Sequence, residues 1–343
     1  MSRTYYLDAL RIVAICAIVV LHVAGSYWYQ VDIERFDWEV FNLYDCITRW
    51  GVPVFVMISG ALFLDPARPQ PLKKLWTKNI PRLVALILFW GALYALVFDL
   101  PDAWSPESAG AFIHDLLFGT PHLWFLFMLL GLYMIVPLLR CITANEEATR
   151  YFLVFGLVVN ILIPFVTDTG SFGIGEDIYA ALMIKLPVGY SFFFVLGYYL
   201  AKHDLPAKAR WTVYVLGIVG LIGAVVASSW VSHASGSADA FIIQSTYPFA
   251  FAAAAIFILT RRRIQGRTLP QERLKTIYTL SSCTLGVYVI HIFVLRGLMA
   301  FGISALDFDP IISVPCLAAV TIVISFALAF MLKKIPVFGK YLV

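Results

Sequence analysis

Charge is what this sequence has least of. Its 343 residues include 25 Lys and Arg and 21 Asp and Glu, 13% of the chain, against 61% hydrophobic residues. With a mean hydropathy of +0.85, a soluble domain is excluded, because it could not bury so much apolar surface and lipid must cover the rest. Cysteine is sparse and unpatterned: Cys16, Cys46, Cys141, Cys283 and Cys316 are scattered through or beside apolar runs. An odd number without metal-ligand spacing argues against a disulfide framework and a zinc site, so no metal is expected and the thiols read as packing groups. With no internal repeat, low-complexity tract or long linker, residues 1–343 read as a single membrane-embedded domain. The net charge of +4 comes without aromatic stacking repeats or a basic soluble domain, which argues against nucleic acid as a partner.

What the sequence has in abundance is long apolar runs. At about 20 residues per crossing, they predict an all-α polytopic integral membrane protein, a bundle of about ten transmembrane helices. The spans fall near residues 6–29, 42–64, 80–99, 122–142, 150–167, 178–201, 211–231, 240–260, 277–301 and 311–332. Twenty of the 25 Lys and Arg lie on one side of them, including Arg68, Lys78, Arg140, Arg210, Arg261 and Lys333. That side reads as cytoplasmic, with both termini inside. The opposite loops are acidic, and Arg35 is their clear cation. The longest of them, Leu100 to Pro121, reads as a loop. The first span reads as retained rather than cleaved, since Asp8 and Arg11 at its start fit a signal-peptide apolar region poorly. Nor does Ile15 before Cys16 suit a lipoprotein signal.

Arg11 and His22 are the residues that a lipid-facing helix would not carry. Eleven steps of about 100° return His22 nearly over Arg11, roughly 16 Å further along, with Asp8 one turn below on the same stripe. A charge at mid-helix costs roughly 2.5–3.5 kcal/mol on insertion scales, so such groups face protein and mark working sites. At ~1.5 Å per residue, His22 lies about 24 Å and Arg11 about 8 Å above the cytoplasmic start of the helix. His291, on the ninth span, reaches a depth similar to that of His22. Both rings are expected to line one cavity reaching from the Arg11 level toward the outer leaflet. A guanidinium near the cytoplasm suits phosphate oxygens, and an imidazole near the outside can accept a hydroxyl proton. The competing reading pairs Arg11 with Asp8 and gives His22 a hydrogen bond to a neighbouring helix.

The opening Leu7-Asp8-Ala9-Leu10-Arg11 with His22, followed by Gly51-Val-Pro-Val-Phe-Val-Met-Ile-Ser59-Gly60, resembles the acyltransferase-3 family of membrane acyltransferases. His122-Leu-Trp124-Phe-Leu, Pro137, Phe194-Val-Leu-Gly197-Tyr198, and Ser282 with Gly286-Val-Tyr288-Val-Ile-His291 agree in order and resemble the branch that O-acylates surface polysaccharides. The resemblance implies an enzyme of a bacterial inner or cytoplasmic membrane. It would move an acyl group, commonly acetyl, from acyl-CoA (acetyl-CoA) to a hydroxyl of an extracytoplasmic glycan or its lipid-linked precursor. Arg11 and His22 match the family's essential pair. Of the family's Arg-x-x-Arg, Arg82 matches the second member, Asn79 occupies the first, and Lys78 is adjacent. Larger relatives append an extracytoplasmic hydrolase-like domain. None is read here, so either the membrane domain finishes the transfer or an envelope-assembly partner protein does.

Other candidates have both a functional and a structural reading. Ser59 and Gly60 would let backbone approach a pantetheine arm, yet small residues in membrane helices commonly make helix contacts. His122 and Trp124 sit at the outer interface, where Trp is an anchor, and His122 is placed to orient an acceptor sugar. Arg49, Lys185 and Arg296 lie toward outer span ends, where cations snorkel; in the functional reading they bind an anionic acceptor or steady an oxyanion. Tyr288 and His291, one turn apart, would contact the same acceptor. The rival class is a secondary transporter or flippase for a glycan or small anionic solute, but the two halves show no paired, Gly/Pro-broken polar helices.

Overall fold

The computed structural model describes residues 5–98, 100, 106–163, 189–245, 247–267, 269–336 and 338–343. Among them every regular element is helical. Helices α1 (Tyr5–Trp28), α4 (Leu72–Phe98), α6 (Pro121–Thr143), α9 (Ala207–Ser235), α11 (Gln271–Ala300) and α12 (Pro310–Lys334) are each long and apolar enough to cross a membrane. The stretch Phe36–Phe63 is the seventh, so the chain is a multi-pass all-α membrane protein. At the three other expected spans the described helices are shorter than a crossing. They are α7 (Glu146–Leu157), α8 (Tyr190–Lys202) and α10 (Tyr247–Ile264). The described part of α7 continues through a π turn at Val158–Leu162, and α10 ends in Arg261, Arg262 and Arg263.

Two elements differ from the sequence expectation. The second span is not one helix but two, α2 (Phe36–Thr48) and α3 (Gly51–Phe63), interrupted at Arg49 and Trp50. Pro53 lacks the N–H that would bond back across the junction, and Gly51 fits tightly on α1: a Cβ there would lie 3.0 Å from the Ala14 carbonyl. The residues between Leu100 and Pro121 are not simply a loop either. They hold α5 (Pro106–Phe118), too short to span and therefore invisible to a search for crossings. It is seated on α4 where Gly91 has no side chain, since a Cβ would fall 2.0 Å from the Leu116 carbonyl oxygen.

The first helix is the axis of the bundle. It packs against α2, α3, α10, α11 and α12, which explains how a helix carrying Asp8, Arg11 and His22 is tolerated in lipid. Helices α3 and α8 cross at closest range. A Cβ at Gly60 would lie 1.7 Å from the Phe194 carbonyl oxygen, and one at Gly197 would lie 2.0 Å from that of Met57. Each glycine thus admits the other helix's backbone. By contrast α9 lies at the periphery, with Trp211, Ile218, Ile222 and Trp230 exposed to what is lipid in the membrane.

Two arginines at the basic end close the C-termini of neighbouring helices. Arg140 Nη1 donates to the carbonyls of Phe63 (2.6 Å) and Asp65 (3.2 Å), beyond the end of α3. Arg261 Nη1 donates to Leu200 (2.6 Å) and His203 (2.8 Å) at the end of α8 and lies 3.3 Å from the Asp204 carboxylate. Both satisfy carbonyls that a helix end leaves unpaired.

Candidate active site

Three imidazoles from three elements meet inside the bundle. His22 comes from α1, His291 from α11, and His122 from the 3-10 turn Pro121–Leu123 that opens α6. The ring centroids of His22 and His291 are 5.0 Å apart, those of His122 and His291 5.4 Å, and those of His22 and His122 6.1 Å. Depth arithmetic placed His22 and His291 at one level, and the rotation of α11 brings the rings together. His291 is fully buried and His122 nearly so. Nε2 of each has no hydrogen-bond partner among the described residues.

Two tyrosines fix the cluster. The Tyr288 hydroxyl donates to the His122 carbonyl. The Tyr94 hydroxyl donates to the Val289 carbonyl (3.0 Å) and accepts from the Phe293 amide (2.9 Å). That carbonyl and amide stand four residues apart, so the hydroxyl of α4 bridges one rung of the α11 ladder in the turn that carries His291. Tyr94 was not foreseen in the sequence, because a lone Tyr in an apolar span has no periodic signature.

A cavity of about 660 Å³ opens beside His22 at the end of the bundle opposite the basic loops. His22, Asp45, Arg49, Trp124 and Tyr190 line it. The Arg49 guanidinium pairs with the Asp45 carboxylate one turn earlier, and the interruption between α2 and α3 delivers that pair to the cavity wall. Asp45 was not singled out from sequence. Trp124 is 45% exposed and its ring packs 5.4 Å from that of Tyr190, giving the cavity an aromatic wall. Of the expected cavity, this space is the part at the outer end, as lined by described residues. His22 lines the space, whereas His291, Tyr288 and His122 stand behind it and Arg11 is not among its lining residues.

At the basic end, Arg11 Nη1 lies 3.8 Å from Asp8 Oδ1. That is a Coulombic contact longer than a hydrogen bond, and Asp8 Oδ1 also accepts from the Ser281 hydroxyl at 2.6 Å. Arg82 Nη2 donates to the Val343 carbonyl (2.8 Å), and Trp90 Nε1 to that of Leu342 (3.0 Å), so residues 338–343 fold back against α4. Tyr133 of α6, packed 4.3 Å from Phe63, lies within Coulombic reach of both Arg11 and Arg82.

The remaining residues are placed as follows. Lys78 is exposed on the π turn Leu75–Asn79 of α4. The Ser59 hydroxyl donates to the Phe55 carbonyl of its own helix (3.1 Å), and Gly60 is a helix-crossing residue. Arg296 lies 4.9 Å from the Phe98 ring centroid, a cation–π contact. Lys185 falls outside the described residues. Among the described residues no group of three or more His, Cys, Asp or Glu is arranged to hold a metal ion.

The arrangement offers a titratable ring facing a cavity at one end of the bundle and two guanidinia near the other. Comparisons with the curated proteins and with the solved structures found no match. A family model described as an acyltransferase domain, Acyl_transf_3, matches residues 4–330, and the chain belongs to that family of acyltransferases.

Proposed function

We propose that the protein transfers an acyl group, acetyl being the expected one, from cytoplasmic acyl-CoA to a hydroxyl of an extracytoplasmic glycan or lipid-linked glycan precursor. The observation that carries this reading is His22 on the wall of the 660 Å³ cavity, on the same helix face as Arg11 and about 16 Å from it along the axis. One helix then links a phosphate-binding level to a proton-accepting level. The excess of Lys and Arg around the Arg11 end supports a cytoplasmic placement of that end and of both termini, in a bacterial cytoplasmic membrane. The cavity then faces outward.

In this mechanism Arg11 and Arg82 meet the donor's phosphates, with Lys78 nearby to draw the anion in from solution. Arg82 exchanges its bond to the Val343 carbonyl for a phosphate oxygen. The pantetheine arm extends along α1 toward His22, past Ser59 on α3. In the cavity Trp124 and Tyr190 give a sugar ring apolar faces to lie on, and the Asp45–Arg49 pair supplies polar contacts with no net charge, which suits an uncharged glycan face. His22 takes the proton of the acceptor hydroxyl while its oxygen bonds to the thioester carbonyl carbon. When the tetrahedral intermediate collapses, the C–S bond breaks and His22 returns the proton to sulfur, giving the ester and the free thiol.

Purified protein in lipid vesicles, given radiolabelled acetyl-CoA and a polysaccharide acceptor, tests the proposal. CoA release coupled to labelled acceptor and dependent on His22 is expected. Uptake of label without turnover would overturn it in favour of a transporter. Turnover that appears only after adding an envelope-assembly protein would identify the partner that completes the transfer.

A further inference from the structure

We propose that His291 is a positioning residue for His22: its Nε2 accepts the N–H of the His22 ring and thereby turns the other His22 nitrogen, bearing the lone pair, toward the cavity. The inference rests on the transfer chemistry proposed above and goes beyond it by assigning a tautomer and a second imidazole.

The tautomer of His291 follows from its partners. Nδ1 lies 2.7 Å from the Tyr288 carbonyl and 3.2 Å from the Val287 carbonyl. A carbonyl only accepts, so in the neutral ring the proton is on Nδ1. Nε2 is then a bare acceptor, and it is buried with no hydrogen-bond partner among the described residues. An unsatisfied acceptor sealed inside a bundle is costly and calls for a donor. Two rings are close enough to supply one, and of these His22, at 5.0 Å between centroids, also faces the cavity. At that spacing two imidazoles reach hydrogen-bond distance once their nitrogens turn toward each other.

The backbone around His291 is held for such a task. Tyr94 bridges Val289 and Phe293 on either side of it, and Tyr288, one turn before, is tied to the His122 carbonyl. His291 then stands where a buried carboxylate stands behind the histidine of a hydrolytic triad, fixing tautomer and orientation without itself exchanging a proton. The hydroxyl proton arriving at the cavity-facing nitrogen of His22 makes an imidazolium whose other N–H stays on His291 Nε2. That same hydroxyl proton leaves with the thiol. The Nδ1 proton of His291, engaged by two carbonyls, stays in place throughout.

The test uses the full chain in lipid vesicles with His291→Phe, which keeps a ring but removes the acceptor, and His291→Gln, whose amide oxygen restores one. Acyl transfer by His291→Phe is expected to fall about 10²-fold in kcat with KM for acetyl-CoA unchanged. His291→Gln should recover roughly tenfold of that loss. In ¹⁵N-histidine-labelled protein, the resonance missing from His291→Gln should show the Nδ1–H pattern. An Nε2–H pattern, wild-type kcat in His291→Phe, or a His291→Gln as slow as His291→Phe would each overturn the assignment, the last by pointing to packing alone. If His22→Ala abolishes turnover while His291→Phe does not, the positioning role fails and the acyltransfer reading stands. If neither substitution matters, the acyltransfer mechanism itself fails.

Discussion

Asp45 and Arg49 form an ion pair one helical turn apart in which the carboxylate is 1% exposed and the guanidinium 22%. The carboxylate would be a poor guest in this interior without its partner. Arg49→Met is therefore expected to destabilise the protein by about 3–5 kcal/mol, because it leaves a buried charge uncompensated. Asp45→Asn combined with Arg49→Met removes both charges and should recover most of the loss in a thermal melt. If the pair binds acceptor, the double variant will melt like the wild type yet need more polysaccharide to reach half-maximal rate. An unchanged acceptor KM would limit the pair to a structural role.

His22→Ala is expected to abolish acyl transfer while the protein still inserts and accumulates, since the ring supplies chemistry and not hydrophobic length. Glycan acylation in a deletion strain carrying the variant is the measurement. Full acylation would remove His22 from the mechanism.

Arg11→Lys keeps the charge and loses the planar fork. If Arg11 meets phosphate, the substitution should weaken acyl-CoA binding roughly tenfold or more, the size of one charge-assisted hydrogen bond. Calorimetry on Arg11→Lys, Arg11→Ala and Arg82→Ala reads this directly. Unchanged affinity in all three would reduce Arg11 to the partner of Asp8.

Glycines of identical composition should respond in opposite ways. Gly60→Ala places a methyl 1.7 Å from the Phe194 carbonyl oxygen, while nothing lies within 4 Å of a Cβ at Gly131. The first should lower stability by about 1–3 kcal/mol through forced separation of α3 and α8. The second should be neutral or slightly stabilising through helix propensity. Equal melting temperatures for the two variants would refute the tight crossing.

What could be read ahead of the structure was whatever repeats with the helical period. The stripe from Asp8 to His22 is visible because 3.6 residues per turn and the cost of charge in lipid are both local properties. The common depth of His22 and His291 is likewise arithmetic along two helices. Rotation about those helices is not local, and so the sequence could not tell that His22 would face the cavity while His291 and Tyr288 stand behind it. The interruption at Arg49 was hidden for a related reason. An apolar run stays apolar whether it is one helix or two, and the fit of Gly51 on Ala14 beside the interruption involves another helix. Asp45 and Tyr94 acquire meaning from partners on the same wall or on another helix, which composition does not record. The helix Pro106–Phe118 went unread because it falls short of the roughly 20 residues that mark a crossing.

Arg140 and Arg261 carry two messages at once. As cations on the basic side they are two votes among many for the orientation of the chain, and an electorate of that size can lose a member without changing the result. As donors to the carbonyls beyond α3 and at the end of α8 they have no such redundancy. Over evolutionary drift a basic loop residue that meets only solvent can move along the chain or trade Lys for Arg, whereas these two are tied to both position and guanidinium. Efforts to invert the protein by stripping its basic side should accordingly spare them, or a failure to fold will be mistaken for a failure to flip.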